Sequence, residues 1–240
     1  MQQYRWIIFD ADGTLFDYDR AELSALTRTF GQYELSFDGE VHRRYERINA
    51  RLWLAFERGE VSSKRLRVER FEELLKDLNP DLCPSQFSDE YLLNLGRETA
   101  LLPGAEKVVK RLSWDFDLML ATNGIAQVQH SRFGASSLKP YFHSLVISDE
   151  IGIAKPEPRF FSEVFARAGN PQKAEVLMVG DSLSSDIAGG VGFGIDTCWF
   201  NPSGQTNDSS IVPTYEINDL RQIFEIVKDE YRWNERNRID

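Results

Sequence analysis

Trp6 to Phe9 is a short β-branched and aromatic run that ends directly in Asp10-Ala11-Asp12-Gly13-Thr14. Such a run suits a strand buried on both faces, and Gly13 is the punctuation that stops it. Asp10 and Asp12 are two apart, and in extended backbone their side chains lean to one face. At roughly 4 Å and an effective dielectric of about 20, two like charges repel by on the order of 4 kcal/mol. A cation or a proton belongs there. Taken alone, Asp-x-Asp-Gly is equally ordinary turn chemistry, and the remaining chain has to decide.

Later in the chain the same arrangement recurs. Phe116 to Ala121 reads as a strand that stops at Thr122-Asn123-Gly124. His143 to Ile147 is a further apolar run, leading into Gly152-Ile153-Ala154-Lys155-Pro156. Glu175 to Val179 ends at Gly180-Asp181, and Asp196 to Phe200 is the last strand expected. Helical spacing fills the intervals: from Pro103-Gly104 to about Ser113, on to about Leu138, from Glu157 to Ala168, from Asp186 to Val191, and from Asn218 to Lys228. Strands alternating with helices imply an α/β fold with a doubly wound parallel sheet. In such sheets ligands sit beyond the carboxyl ends of the strands, where Asp10, Asp12, Thr122, Asn123 and Asp181 all fall. Residues from Asp19 to about Ala100 follow a purely helical pattern, which makes them an all-helical insertion after the first strand.

Composition narrows the function classes. A formal net charge of −10 argues against a partner such as a nucleic-acid polymer, which needs clustered Lys and Arg. An acidic protein that handles phosphates needs a metal. Cys83 and Cys198 are far apart and outside any Cys-x-x-Cys spacing, pointing to neither a disulfide framework nor a zinc site. With no signal-peptide pattern and no run long enough to span a bilayer, the expectation is a cytoplasmic protein without membrane partners, as a monomer or small homo-oligomer. Gly190-Val191-Gly192-Phe193-Gly194 follows a helix and precedes a strand, the reverse of a dinucleotide fingerprint. His42, His130 and His143 have no metal spacing. The loop at Asn201 to Ser210 and the charged tail from Tyr231 to Asp240 suggest no chemistry.

Asp10-x-Asp12-Gly13-Thr14, Thr122-Asn123-Gly124, Lys155-Pro156 and Gly180-Asp181-Ser182-x-x-x-Asp186 together resemble the haloacid-dehalogenase-like phosphohydrolase superfamily, in residue type, order and relation to strands. The resemblance covers essentially the whole chain. It implies a Rossmann-like core of residues 1–15 and 103–240, with residues 16–102 as a helical cap. It further implies Asp10 as nucleophile, forming an aspartyl-phosphate, and Asp12 as general acid and then base. Thr122, Asn123 and Lys155 would meet the phosphate, with Lys155 also stabilising the nucleophile. Mg²⁺ would be held by Asp10, Asp181 and the main-chain carbonyl of Asp12, with Asp186 completing the acidic shell.

Within that superfamily the chain most resembles the pyrimidine 5'-nucleotidase, or nucleoside monophosphatase, branch. The residues that carry this are Asp10 to Phe16, Leu52-Trp53 with Gly59, Ile147 to Pro156, Val176 to Asp181, and Thr197-Cys198-Trp199. That branch often has Glu where this chain has Gly13. The implied substrate is a nucleoside 5'-monophosphate. In the cap, Tyr45, Trp53 and Phe56 are candidates to stack on a base, although aromatics also dominate helical cores. A sugar phosphatase or β-phosphoglucomutase-like enzyme would share the same core. Asp12 argues against a dehalogenase, and the complete acid, lysine and threonine set argues against an inactive partner-binding module on the same fold.

Overall fold

The computed structural model describes residues 4–228. The expected tail from Tyr231 to Asp240 lies outside the described residues. Six parallel strands form one sheet in the order β3-β2-β1-β4-β5-β6: β1 (Trp6–Phe9), β2 (Asp117–Thr122), β3 (Ser144–Ile147), β4 (Val176–Gly180), β5 (Asp196–Phe200) and β6 (Tyr215–Ile217). The register pairs Phe9 with Leu120 on one side and with Val179 on the other. β1 is therefore central, and the order reverses between β1 and β4, the place where ligands bind in open α/β sheets.

Alternation along each strand explains the two layers. Ile7, Phe9, Leu118, Leu120, Leu177 and Val179 face one apolar cluster, which also holds Val108 and Leu112 of α5 (Ala105–Leu112) and Ile223 of α10 (Ile223–Lys228). Trp6, Ile8, Met119, Ala121, Val176 and Met178 face the opposite cluster with Phe160, Phe161 and Val164 of α8 (Pro158–Arg167). Period-two backbone sorts neighbouring residues to opposite faces, and continuous apolar strands are what a sheet covered on both sides requires.

Between β1 and α5 lie α1 (Tyr18–Gln32), α2 (Gly39–Glu57), α3 (Ser63–Leu75) and α4 (Pro84–Gly96). Asp17, Asp38 and Ser62 cap the first three through side-chain bonds to backbone N–H groups, and Pro84 opens the fourth. Their buried side chains form a cluster of their own, including Phe30, Leu52, Phe71 and Phe87, joined by Ile125 and Val128 beside and within α6 (Ala126–Ala135). Two polar ties link this insertion to the sheet region. Arg67 and Ser63 bond the Asp149 carboxylate in α7 (Ser148–Ile151), at 2.8 and 2.7 Å, and Ser184 donates to Glu57 at 2.9 Å.

The expected strands and most helices are present, with local differences. α6 ends at Ala135 instead of reaching Leu138, because the Ser136 side chain accepts from the Leu138 N–H and a 3-10 turn follows at Lys139–Tyr141. The helix expected from Asp186 begins earlier, as a π-helical turn over Leu183–Ile187 that runs into α9 (Ala188–Phe193). The glycines from 190 to 194 lie in α9 and its end, where Gly194 takes φ 83°, consistent with a helix stop. No helix among the described residues is long and apolar enough to cross a membrane.

Candidate active site

The chemistry-bearing residues converge at the carboxyl ends of β1, β2 and β4. Asp10 leaves β1, Asp181 follows β4, and Lys155 arrives from the segment after α7. The Lys155 ammonium is fully buried and donates to Asp10 Oδ1 at 2.6 Å, Asp186 Oδ1 at 2.6 Å and the Ala121 carbonyl at 2.8 Å. An ammonium has three protons to donate, and all three have acceptors. Burial works against its charge, yet Asp10 and Asp186 hold it above the ordinary lysine value.

Carboxylate oxygens of Asp10, Asp181 and Asp186 lie within 4.8 Å of one another. Burial pushes Asp10 well above the usual carboxylate range, with Asp186 and Asp181 adding to the rise and Lys155 opposing it. Asp181 is pushed up to about 7, by burial first and then by Asp186. Two buried acids and the half-buried Asp181 around one ammonium leave negative charge uncompensated, and an oxygen donor set of this kind suits a hard divalent cation. The Asp12 side chain is not part of this cluster.

Local structure explains the placement. Thr14 braces Asp181, donating to its Oδ1 at 2.9 Å and accepting from its N–H at 3.1 Å, while Trp199 Nε1 donates to the Asp181 carbonyl at 2.9 Å. Asp186 folds back over Gly180 so closely that a Cβ there would collide with its carboxylate, and it accepts from the Ser182 N–H at 3.1 Å. Asn123 lines the cavity over the carboxylates, and its side-chain amide holds Lys155. Its Nδ2 donates to the Lys155 carbonyl at 2.9 Å and its Oδ1 accepts from the Lys155 N–H at 2.8 Å, so both ends of its amide fix the lysine's main chain. Thr122 is buried at the end of β2 with its hydroxyl accepting from the Gly124 N–H at 3.0 Å.

Sequence reasoning missed the partners of Asp12. Gln129 Nε2 donates to Asp12 Oδ2 at 2.6 Å, and Arg132 Nη2 donates to Asp12 Oδ1. Both donors come from α6, whose sequence gives no signal that singles them out.

A cavity of about 240 Å³ opens over these groups, lined by Asp10, Asp12, Lys155, Asp181, Tyr18 and Trp53 among others. Of the three cap aromatics singled out by sequence, only Trp53 lines it. Tyr45 is fully buried, with its hydroxyl at 3.2 Å from both Tyr91 and Arg70, and packs the interior of the insertion. Phe56 packs edge-on against Trp53 at 5.6 Å and lines a neighbouring pocket. Tyr18 gave no sequence signal beyond following the first acids; its hydroxyl donates at 2.8 Å to Glu22, a carboxyl that burial pushes up to about 7.

A parallel sheet with acids and a buried lysine at its strand ends defines a class, and a family model for haloacid dehalogenase-like hydrolases matches residues 4–194. The chain belongs to the haloacid dehalogenase-like hydrolase family. It is 33% identical over 225 residues to the pyrimidine 5'-nucleotidase YjjG of Escherichia coli (strain K12), covering 94% of this chain and 98% of that protein. It is also 33% identical over 223 residues to the pyrimidine 5'-nucleotidase PynA of Streptococcus pneumoniae, covering 92% and 94%. A crystal structure of YfnB from Bacillus subtilis bound to magnesium matches with a TM-score of 0.89 at 34% identity, covering 94% of this chain and 99% of that one.

Proposed function

We propose that the protein is a Mg²⁺-dependent phosphomonoesterase that hydrolyses nucleoside 5'-monophosphates through an aspartyl-phosphate on Asp10. The observation that carries this reading is the buried Lys155 ammonium bridging Asp10 and Asp186 at the floor of a cavity that also presents Asp12. Asp10 forms a bond to phosphorus as the bond from phosphorus to the leaving oxygen breaks, and Asp12 gives that oxygen its proton. Asp12 then takes a proton from the water that attacks the same phosphorus, releasing inorganic phosphate and restoring Asp10. Lys155 favours the ionised form of Asp10 against the effect of burial and offsets charge on the phosphoryl oxygens. Asp10, Asp181 and Asp186 are the residues that would hold Mg²⁺, which when bound supplies the positive charge that lets an acidic floor accept an anion. Thr122 would contribute its hydroxyl to the phosphate, and Asn123 would act through Lys155.

Residues 16–102 are proposed as a cap domain over a core of 1–15 and 103–240. Support comes from the insertion's own apolar cluster and from Tyr18 and Trp53, which bring its aromatic side chains to the carboxylates. The names of YjjG and PynA support a nucleotide as the substrate.

The test is a phosphate-release panel of nucleotides, sugar phosphates and small phosphoesters, with and without Mg²⁺. Nucleoside 5'-monophosphates are expected to give the highest kcat/KM, and turnover confined to sugar phosphates would refute the substrate. Base stacking on an aromatic ring contributes about 1–3 kcal/mol. Trp53→Ala is accordingly expected to lower kcat/KM for nucleotides by roughly tenfold or more, mainly through KM, with a far smaller change on a ring-free phosphoester. Equal losses on both would remove Trp53 from base recognition.

A further inference from the structure

Arg132 is a fully buried arginine in α6 whose guanidinium lies 5.0 Å from the centre of the Phe16 ring and donates from Nη2 to Asp12 Oδ1. Its Nε and Nη1 are buried without a hydrogen-bond partner among the described residues. Burying a guanidinium is unfavourable unless an anion compensates it, and Asp12 supplies the carboxylate here.

Gln129, one turn earlier on the same face, donates from Nε2 to the other Asp12 oxygen, Oδ2, at 2.6 Å, and it too is buried. Its Oε1 is without a partner among the described residues. An amide suits this place: it donates to a carboxylate or, turned over, accepts from a carboxylic acid, whereas a guanidinium only donates. A further position completes the arrangement. The Gln129 side chain crosses directly over Gly124, where a Cβ would lie 2.9 Å from both Cγ and Cδ and closer still to Nε2. Gly124 thus gives Gln129 its path to Asp12.

We infer that Gln129 and Arg132, with Gly124 making room, are positioning residues that clamp both oxygens of Asp12 and aim its carboxyl at the leaving oxygen of the substrate. This rests on the proposed role of Asp12 as proton donor. Two donors, one on each oxygen, fix the rotation of the carboxyl plane as well as its place. One edge of Asp12 stays open to the cavity, where the side chain retains 23% exposure. Proton transfer demands that alignment, and its loss is felt in proportion to how much the leaving group needs a proton.

The experiment compares kcat/KM, which reports steps up to departure of the leaving group, on two esters: p-nitrophenyl phosphate, whose leaving group departs with little help, and the best alkyl phosphomonoester of the panel above. The variants are Gln129→Leu, Gly124→Ala, Arg132→Met and Arg132→Lys, each checked for native circular dichroism and cooperative unfolding. Gln129→Leu and Gly124→Ala are expected to lower the alkyl ester's kcat/KM by about 10²-fold, at the low end of general-acid contributions, and that of p-nitrophenyl phosphate by less than about 5-fold. Arg132→Met is expected to follow the same split, with Arg132→Lys recovering part of the loss. If Arg132→Met does not fold, Gln129→Leu and Gly124→Ala decide alone, since neither removes a charge. Equal losses on the two esters in folded variants, or no loss on either, would overturn the inference while leaving the phosphatase reading intact. Failure of the wild type to hydrolyse either ester would overturn that reading and this inference with it.

Discussion

Lys155→Met is expected to end turnover and, separately, to weaken the fold in a way that low pH repairs. The ammonium is 1% exposed and bonds two carboxylates and a carbonyl. Removing one partner of a buried ion pair costs about 3–5 kcal/mol, because the charges left behind are uncompensated. Here Asp10 and Asp186 both lose their cation, and protonating Asp10, whose carboxyl burial already pushes up, relieves the penalty. Unfolding followed by circular dichroism should therefore show the variant losing stability relative to wild type as pH rises from about 5 to 8. Activity behaves differently. A donor aimed at developing charge contributes about 10²–10³ in kcat, and loss of the ion pair that favours ionised Asp10 adds to this. The fall should persist at every pH where the variant is folded. A folded Lys155→Met protein within tenfold of wild-type kcat would remove Lys155 from the chemistry.

The second large effect joins metal binding to pH through Asp181. Its carboxyl is pushed up to about 7 by burial and by Asp186. A carboxyl whose folded pKa is raised favours the folded state below its unfolded pKa of about 4 and loses that contribution as pH climbs toward 7. A cation reverses the relation, since it binds the ionised carboxylates and must displace the proton. Apparent Mg²⁺ affinity should rise about tenfold per pH unit below 7 and level off above it, with proton release detectable by calorimetry in buffers of different ionisation enthalpy. The melting temperature of the metal-free protein should be lower at pH 8 than at pH 5, and saturating Mg²⁺ should raise it most at pH 8. A chelator should abolish phosphate release. Asp181→Asn should weaken Mg²⁺ binding and flatten its pH dependence below 7. Affinity that is flat from pH 5.5 to 8.5 in the unaltered protein would contradict this picture of the cluster.

Much of the molecule was legible in the residue order because burial on both faces forces continuous apolar runs. Trp6–Phe9 and Val176–Gly180 could hardly be anything but central strands, and the polar residues that end them fall at the sheet's carboxyl edge. β6, three residues long, carried too little pattern to be expected and is located by its pairing with β5 through Phe200 and Ile217. The helical insertion was visible from its spacing. Which of its aromatics faces the site was not, since Tyr45 and Trp53 both lie on α2 and only tertiary packing buries one and exposes the other to the cavity. Likewise nothing in the spacing of α6 singles out Gln129 and Arg132, and nothing in the residue order shows that the Asn123 side chain holds the Lys155 main chain. Polar side chains gain their meaning from partners more than a hundred residues away, as Arg132 does from Asp12, and spacing within one helix holds no information about them.

All of this turns on Asp10 as the atom that takes the phosphoryl group. The direct measurement is Mg²⁺-dependent phosphate release by Asp10→Asn against wild type on the best ester of the panel, with both proteins shown to be folded. The amide keeps the size of the side chain but replaces one carboxylate oxygen with NH2 and removes the charge that makes the group a nucleophile, and the expected result is a fall of at least about 10⁴-fold in kcat, as for loss of a covalent nucleophile. Undiminished release by Asp10→Asn would contradict the mechanism outright.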